Sequence, residues 1–349
     1  MDWIINLMEK GWVPDQLIRM GIYHLVRHRM RELLKVFSHN EKKEKENFIT
    51  KMKASPIAMH TQEANVQHYE VPAEFFDLIL GDHKKYSGCF WENGSKSLTD
   101  AEEASLRISC ERAQIENGMD ILELGCGWGS LSLWLAEHFP ESKVISVSNS
   151  RLQRQYIMKH CGRKNLSNLE VVTCDMNSFQ IDVQFDRVVS IEMFEHMRNY
   201  DLLLKSIHSW LKPCGKLFIH IFCNKRYPYF FETEGDHNWL GRYFFTGGLM
   251  PSEDLPGYFQ DALTLESQWH WNGEHYQKTA EMWLMNMDAQ RKKIMPIFMK
   301  VYGTQNASLW FQRWRIFFMA CGELFGYKNG QQWGVAHYRF EKNDGKVKE

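Results

Sequence analysis

Between residues 117 and 222 the apolar positions fall in short runs, at Asp120–Leu124, Lys143–Val147, Leu169–Val172, Phe185–Ile191 and Lys216–Phe222. Each run is separated from the next by a stretch of helical length, a rhythm that predicts a parallel sheet with crossover helices. Residues 1–60 read as helical, with Leu17, Met20, Leu25 and Leu34 set among many Lys and Arg. The charged run from Glu41 to Lys53 reads as a solvated helix face or a link. Beyond residue 223 the chain turns aromatic, Met-rich and mainly helical, until Trp333–Phe340 reads as a late strand returning to the sheet. The expected organisation is therefore a helical region over 1–60, a covering segment over 61–116 and an α/β core over 117–222. A mainly helical cap over 223–332 and a final strand with its tail over 333–349 complete it.

The first strand runs into Glu123-Leu-Gly125-Cys-Gly127-Trp-Gly129, and a helix-like segment follows from Ser130. A glycine-rich turn between strand and helix lets backbone approach a ligand closely, and the helix start presents free amides. A dinucleotide fingerprint would read GxGxxG. The GxGxG spacing found here, with Glu123 two residues ahead of the first glycine, suits instead a ligand that carries an amino acid moiety. The second strand ends in Ser148 and Asn149, and these with Gln153 offer neutral hydrogen-bonding groups where many nucleotide folds place an acid on the ribose. After the third strand, Asp175 and Met176 suit an adenine amino group and ring face, and a helix cap is the plain alternative for Asp175.

Composition narrows the class. A net charge of −1 over 349 residues gives no general pull toward nucleic acid or an anionic bilayer. The eight cysteines form no CxxC pair, so neither a metal site nor a disulfide framework is indicated, and a reducing cytoplasmic setting is expected. No unbroken apolar stretch of signal-peptide or membrane-spanning kind is evident. No stable membrane association is expected, and a homodimer is compatible with the sequence.

Several strings together resemble the cyclopropane fatty acid synthase superfamily. They are the glycine turn, Tyr86-Ser87 after His68-Tyr69-Glu70, Ile191-Glu192-Met-Phe-Glu195-His196-Met, and His275-Tyr276-Gln-Lys-Thr279 with Trp283. Within it the chain is most similar to plant coclaurine N-methyltransferase-like enzymes, on Cys110-Glu-Arg-Ala-Gln-Ile115, Phe194–Tyr200 and Glu323–Gly330. The resemblance implies a doubly wound, seven-stranded class I methyltransferase (Rossmann-like) α/β core with N-terminal helices and a helical cap insertion. It implies S-adenosyl-L-methionine as cofactor, with Tyr69, Tyr86 and Ser87 at its amino acid end. Glu123, Gly125, Gly127, Gly129, Ser148, Asn149, Gln153, Asp175, Met176 and Ile191 are then expected to hold the rest. One departure bears on function. In the lipid-cyclopropanating members the residue after the Tyr-Ser pair is a cysteine that helps hold bicarbonate, whereas this chain has Gly88 there and Cys89 one place on. His220 and Tyr276 resemble the other members of that anion site.

The expected reaction is methyl transfer to the nitrogen of a small aromatic-bearing amine, of phenylalkylamine or benzylisoquinoline type. Amines are mostly protonated at neutral pH, so a proton acceptor beside the nitrogen is needed. On a helical turn, Glu192, Glu195 and His196 would share one face at i, i+3 and i+4. His196 is read as the base because its ordinary pKa lies nearest working pH, with Glu195 orienting the ring or the ammonium and Glu192 supporting from behind. Glu70 is a further candidate for contacting the amine. The alternatives are methylation of unsaturated lipid acyl chains with the same cofactor, and a non-catalytic binding protein on this fold. Nucleic acid methylation fits poorly, since no basic recognition module is present.

Overall fold

A computed structural model describes residues 2–59, 71–235 and 238–343. Tyr69 and Glu70, expected over the cofactor and the amine, lie outside the described residues.

The strands are β1 (Asp120–Leu124), β2 (Lys143–Ser148), β3 (Leu169–Thr173), β4 (Phe185–Ile191), β5 (Leu211–Asn224), β6 (Tyr229–Phe230), β7 (Leu249–Met250), β8 (Leu263–Asn272) and β9 (Trp333–Lys342). Seven of them form one sheet in the order β3-β2-β1-β4-β5-β9-β8, and β6 pairs β7 in a separate short ribbon. β1 to β5 pair in parallel, while β9 runs antiparallel to both β5 and β8. The order reverses between β1 and β4, and a crevice opens beyond the carboxyl ends of strands at such a switch. The α/β core and the late returning strand are as the apolar runs predict.

Two features go beyond the sequence reading. The stretch after residue 223 is not wholly helical, because it contributes the edge strand β8 as well as the ribbon. β8 is buried at its ends and only partly covered between, so it carries no continuous apolar run to betray it. In helix Asp15–Phe37 the buried face is Ile18, Ile22, Val26, Met30, Leu33 and Phe37. Leu17, Met20, Leu25 and Leu34 face outward. The buried set repeats at four- and three-residue steps, as an amphipathic helix requires.

Charge pairs and a shared core seat the first helices on the cap. Arg19 forks onto Glu281 at 2.6 and 2.7 Å and reaches Glu323 at 3.0 Å. Arg315 bridges Asp15 and Asp288. The charged run at 41–53 is a helix capped by Asn40, with Phe48 and Met52 buried. No described helix is long and apolar enough to cross a membrane.

Helix Leu98–Ala113 opens with a capping box, the Ser97 hydroxyl accepting from the Asp100 amide and the Asp100 carboxylate accepting back. From its buried first turns Glu102 accepts the backbone N–H groups of Gly81, His83 and Lys85 at 2.9, 2.8 and 3.3 Å. Burial lifts this carboxyl to about 7 against those donors. One side chain thereby shapes the loop that delivers Tyr86 and Ser87 to the crevice.

Gly129, at φ +82°, starts helix Ser130–His138, and a Cβ there would come within 2.6 Å of Ile157. Its hydrogen lets that helix pack on helix Arg151–Lys164. Gly129→Ala is expected to cost about 2 kcal/mol from the left-handed backbone and the overpacked contact. Urea denaturation reads this directly, and a loss near zero would contradict the packing role.

Candidate active site

One cavity lies over the carboxyl ends of β1, β2 and β4. Of the expected cofactor residues, Tyr86, Ser87, Glu123, Gly125, Gly127, Ser148, Asn149, Gln153, Met176 and Ile191 line it. Gly129 and Asp175 are not among its lining residues. Gly129 serves packing, and Asp175 accepts the Asn177 N–H at 2.8 Å in a turn.

The glycine turn is held by Val147, whose carbonyl accepts the amides of Gly125 and Cys126, both at 3.0 Å. Gly125 sits at φ +81°, and a Cβ there would meet Met193 at 2.7 Å, so only glycine leaves the turn flush with the cavity. The Ser148 hydroxyl donates to Gln153 Oε1 at 2.6 Å and accepts the Ser150 amide at 3.0 Å. Gln153 Nε2 is left buried with no hydrogen-bond partner among the described residues. An orphaned donor costs free energy unless a ligand oxygen meets it, so this corner fits a polyhydroxyl group such as a ribose. The Glu123 carboxylate is already engaged, since Oε2 accepts from Ser132 and from Ser146. It thus ties β1 to β2 and to the following helix, and burial pushes it up to about 7.

The other wall is built from the end of β4. Glu192 follows the strand directly in a left-handed conformation, φ +46°, and its amide donates to the His220 carbonyl at 2.8 Å. Phe194–His196 then forms a single 3₁₀ turn. Glu192, Glu195 and His196 therefore meet on the same cavity by a strand-end kink and a tight turn, and do not share an α-helical face.

Their environments differ. Glu192 Oε1 accepts the Gly88 amide at 2.9 Å and faces His220 Nε2 at 3.3 Å, while Oε2 accepts the Tyr276 hydroxyl at 2.9 Å. Lys85, itself buried and donating to Ser87 Oγ and the Gly88 carbonyl at 2.6 Å each, adds positive charge nearby. Glu195 is 1% exposed, and its Oε2 has no hydrogen-bond partner among the described residues. Burial raises both carboxyls, against the pull of Lys85 at Glu192. Burial and then the Glu192 charge carry Glu195 well above the ordinary carboxylate range. Of this coupled pair Glu192 is the more acidic, because the Lys85 charge, the Gly88 amide and the Tyr276 hydroxyl answer it.

The His196 ring stacks on Phe245, with centroids 5.7 Å apart and planes at 5°. Phe222, Phe245, Trp283 and Phe317 supply an apolar wall. Most residues of the aromatic-rich segments after 220 instead pack in the core, such as Trp314 and Phe318. Sequence reasoning missed Lys85, which gives no motif of its own. It also passed over Phe222, whose place in β5 aims it at the cavity only once the strand register is known.

The chain matches the mycolic acid cyclopropane synthetase family over residues 58–333. It is 35% identical to (S)-coclaurine N-methyltransferase of Thalictrum flavum subsp. glaucum over 343 residues, covering 97% of this chain and 95% of that one. It is 28% identical to the cyclopropane-fatty-acyl-phospholipid synthase of Escherichia coli over 280 residues, 79% of this chain and 68% of that one. A crystal structure of coclaurine N-methyltransferase bound to N-methylheliamine and S-adenosylhomocysteine superposes with a TM-score of 0.94 at 34% identity, covering 97% of this chain and 99% of that one. The α/β core, the glycine turn and these similarities together show that the chain belongs to the mycolic acid cyclopropane synthetase family and is an S-adenosylmethionine-dependent N-methyltransferase.

Proposed function

We propose that the acceptor is the nitrogen of a small aromatic-bearing amine, of phenylalkylamine or benzylisoquinoline type, and that Glu195 and His196 receive its charge and its proton. The observation that carries this reading is the buried Glu195 carboxyl, which lines the cavity with an oxygen unanswered by any described residue. A buried acid in an aromatic-walled site is a receptor for a cation with an apolar body. The similarity to coclaurine N-methyltransferases supports the same acceptor class.

S-adenosylmethionine, when bound, supplies an electrophilic methyl on sulfur. Gln153 and Ser148 would hold its ribose hydroxyls, Met176 its adenine face, and Tyr86 and Ser87 its carboxylate. Glu195 gives up its proton to solvent as the ammonium pairs with it, and His196 Nε2 or Nδ1 takes the ammonium proton, leaving the nitrogen lone pair free. The methyl that the bound cofactor would supply to that pair would carry its positive charge to nitrogen, giving a methylated ammonium held by Glu195 and a neutral thioether. The aromatic wall excludes water and fixes the line of approach. Glu192, saturated by donors, serves as a fixed negative charge.

The lipid alternative is weakened by the place of Gly88. A Cβ at that position would come within 2.9 Å of the Tyr276 ring, which leaves no room for a cysteine beside Glu192 without movement. Cys89 offers no substitute, because it is fully buried, does not line the cavity, and burial raises its thiol to about 12.

A competition among phenylalkylamines, benzylisoquinolines and unsaturated phospholipid vesicles, read by product mass, is expected to show methylation on an amine. Gain on the lipid alone would overturn the acceptor assignment. Glu195→Gln is expected to raise KM for the amine about tenfold or more while S-adenosylhomocysteine affinity stays unchanged. For His196→Ala the expected loss of kcat/KM is about 100-fold and greatest at low pH, where free amine is scarcest. Equal turnover at every pH would remove His196 from the proton-transfer step.

A further inference from the structure

Behind Glu192 lies a chain of side chains, two buried histidines and a half-buried arginine, that the reaction above does not use. His220 on β5 and His337 on β9 are directly opposed in the antiparallel register, and both are fully buried. His337 Nε2 lies 2.8 Å from His220 Nδ1. At the far end, Arg112 from the last turn of helix Leu98–Ala113 reaches His337 Nδ1 at 3.0 Å. At the near end, His220 Nε2 faces Glu192 Oε1.

The direction of every hydrogen bond in this chain follows from one group. A guanidinium can only donate, so His337 Nδ1 must accept and carries no proton. The His337 proton is then on Nε2 and is donated to His220 Nδ1, which leaves the His220 proton on Nε2, pointing at Glu192. We propose that Arg112 is a positioning residue for catalysis: through His337 and His220 it fixes both imidazole tautomers so that a donor always faces Glu192, which keeps Glu192 the ionised member of the Glu192–Glu195 pair.

Burial holds both imidazoles well below their ordinary range, so each carries one proton and its tautomer matters. Trp271 closes the chain from water, packing edge-on to His220 at 5.2 Å and tilted on His337 at 4.3 Å. The Arg112 guanidinium is seated over the Trp269 and Trp271 rings at 5.1 and 5.6 Å, so it cannot swing away freely. Among the described residues the titratable groups that face Glu192 are His220 from β5, Tyr276 from the cap, Lys85 and Cys89 from the loop, Cys321 from helix Ala307–Gly326 and Glu195 from the turn that follows it, the two thiols being raised by burial. Of these, only His220 has a donor whose presence depends on a remote residue. If the chain lost its direction, His220 could turn its lone pair toward Glu192, and the carboxyl pair would take up a proton more readily.

The test has two parts. In histidine-selective ¹⁵N labelling of the intact protein, His220 and His337 are both expected in the Nε2–H form, with their signals assigned from His220→Gln and His337→Gln. Either ring in the Nδ1–H form overturns the proposal, without reference to any acceptor. The second part rests on the amine reading. Arg112→Met is expected to move the acid limb of kcat/KM to higher pH by about one unit, whereas Arg112→Lys, which keeps a donor, restores the wild-type limb. A uniform loss of rate at all pH in Arg112→Met, with the limb unmoved, reduces Arg112 to a structural role and overturns the proposal. If no amine is methylated by the wild type, the acceptor assignment fails, and the tautomers alone decide the role of Arg112.

Discussion

A carboxylate taken out of water must be met by donors, by a cation or by a proton. The end of β4 and the turn after it take two of them largely out of water three positions apart, Glu192 with 8% of its side chain still exposed and Glu195 fully. Much of the surrounding architecture answers the first. The Gly88 amide, the Tyr276 hydroxyl and His220 come from a loop, a cap helix and a strand that are far apart in sequence and converge on one carboxyl. Because Glu192 is satisfied, its charge stays and works against the ionisation of Glu195. The second carboxyl is thus left poised, and under the proposed function a cationic amine is the group that completes it.

The fold supplies the means. A strand order that reverses between β1 and β4 opens a crevice where the glycine turn and the Glu192 kink stand side by side. The cofactor wall and the acid wall therefore come from adjacent parallel strands, and the distance between them is set by the sheet and not by a flexible loop. The antiparallel pairing of β9 on β5 has a second effect, since it places His337 behind His220. Glu102 does comparable work on the remaining side by holding three amides of the loop that presents Tyr86 and Ser87.

How much of this could be read from the chain depends on the range of the interaction. The strands of the core were legible because each is a short apolar run between helical stretches, and the glycine turn because its spacing is local. The string from Ile191 to Met197 was legible as chemistry, though not as geometry, since a left-handed residue at Glu192 followed by one 3₁₀ turn has no sequence signature apart from a helix start. β8 was hidden because an edge strand needs no continuous apolar run. The buried face of helix Asp15–Phe37 was hidden because apolar residues occur on both faces, and only packing on the cap chooses between them. Lys85 and His337 gave no chemical signal, and Arg112 none beyond the family resemblance of its string, as their roles rest on contacts across the chain.

Completion of the poised Glu195 by a cationic amine, as proposed, is open to direct measurement. Calorimetry of amine binding to the enzyme–S-adenosylhomocysteine complex, in buffers of differing ionisation enthalpy at neutral pH, measures this as proton release. About one proton is expected to leave per amine bound, and Glu195→Gln to abolish the release. Amine binding with no proton released by the wild-type protein would contradict it.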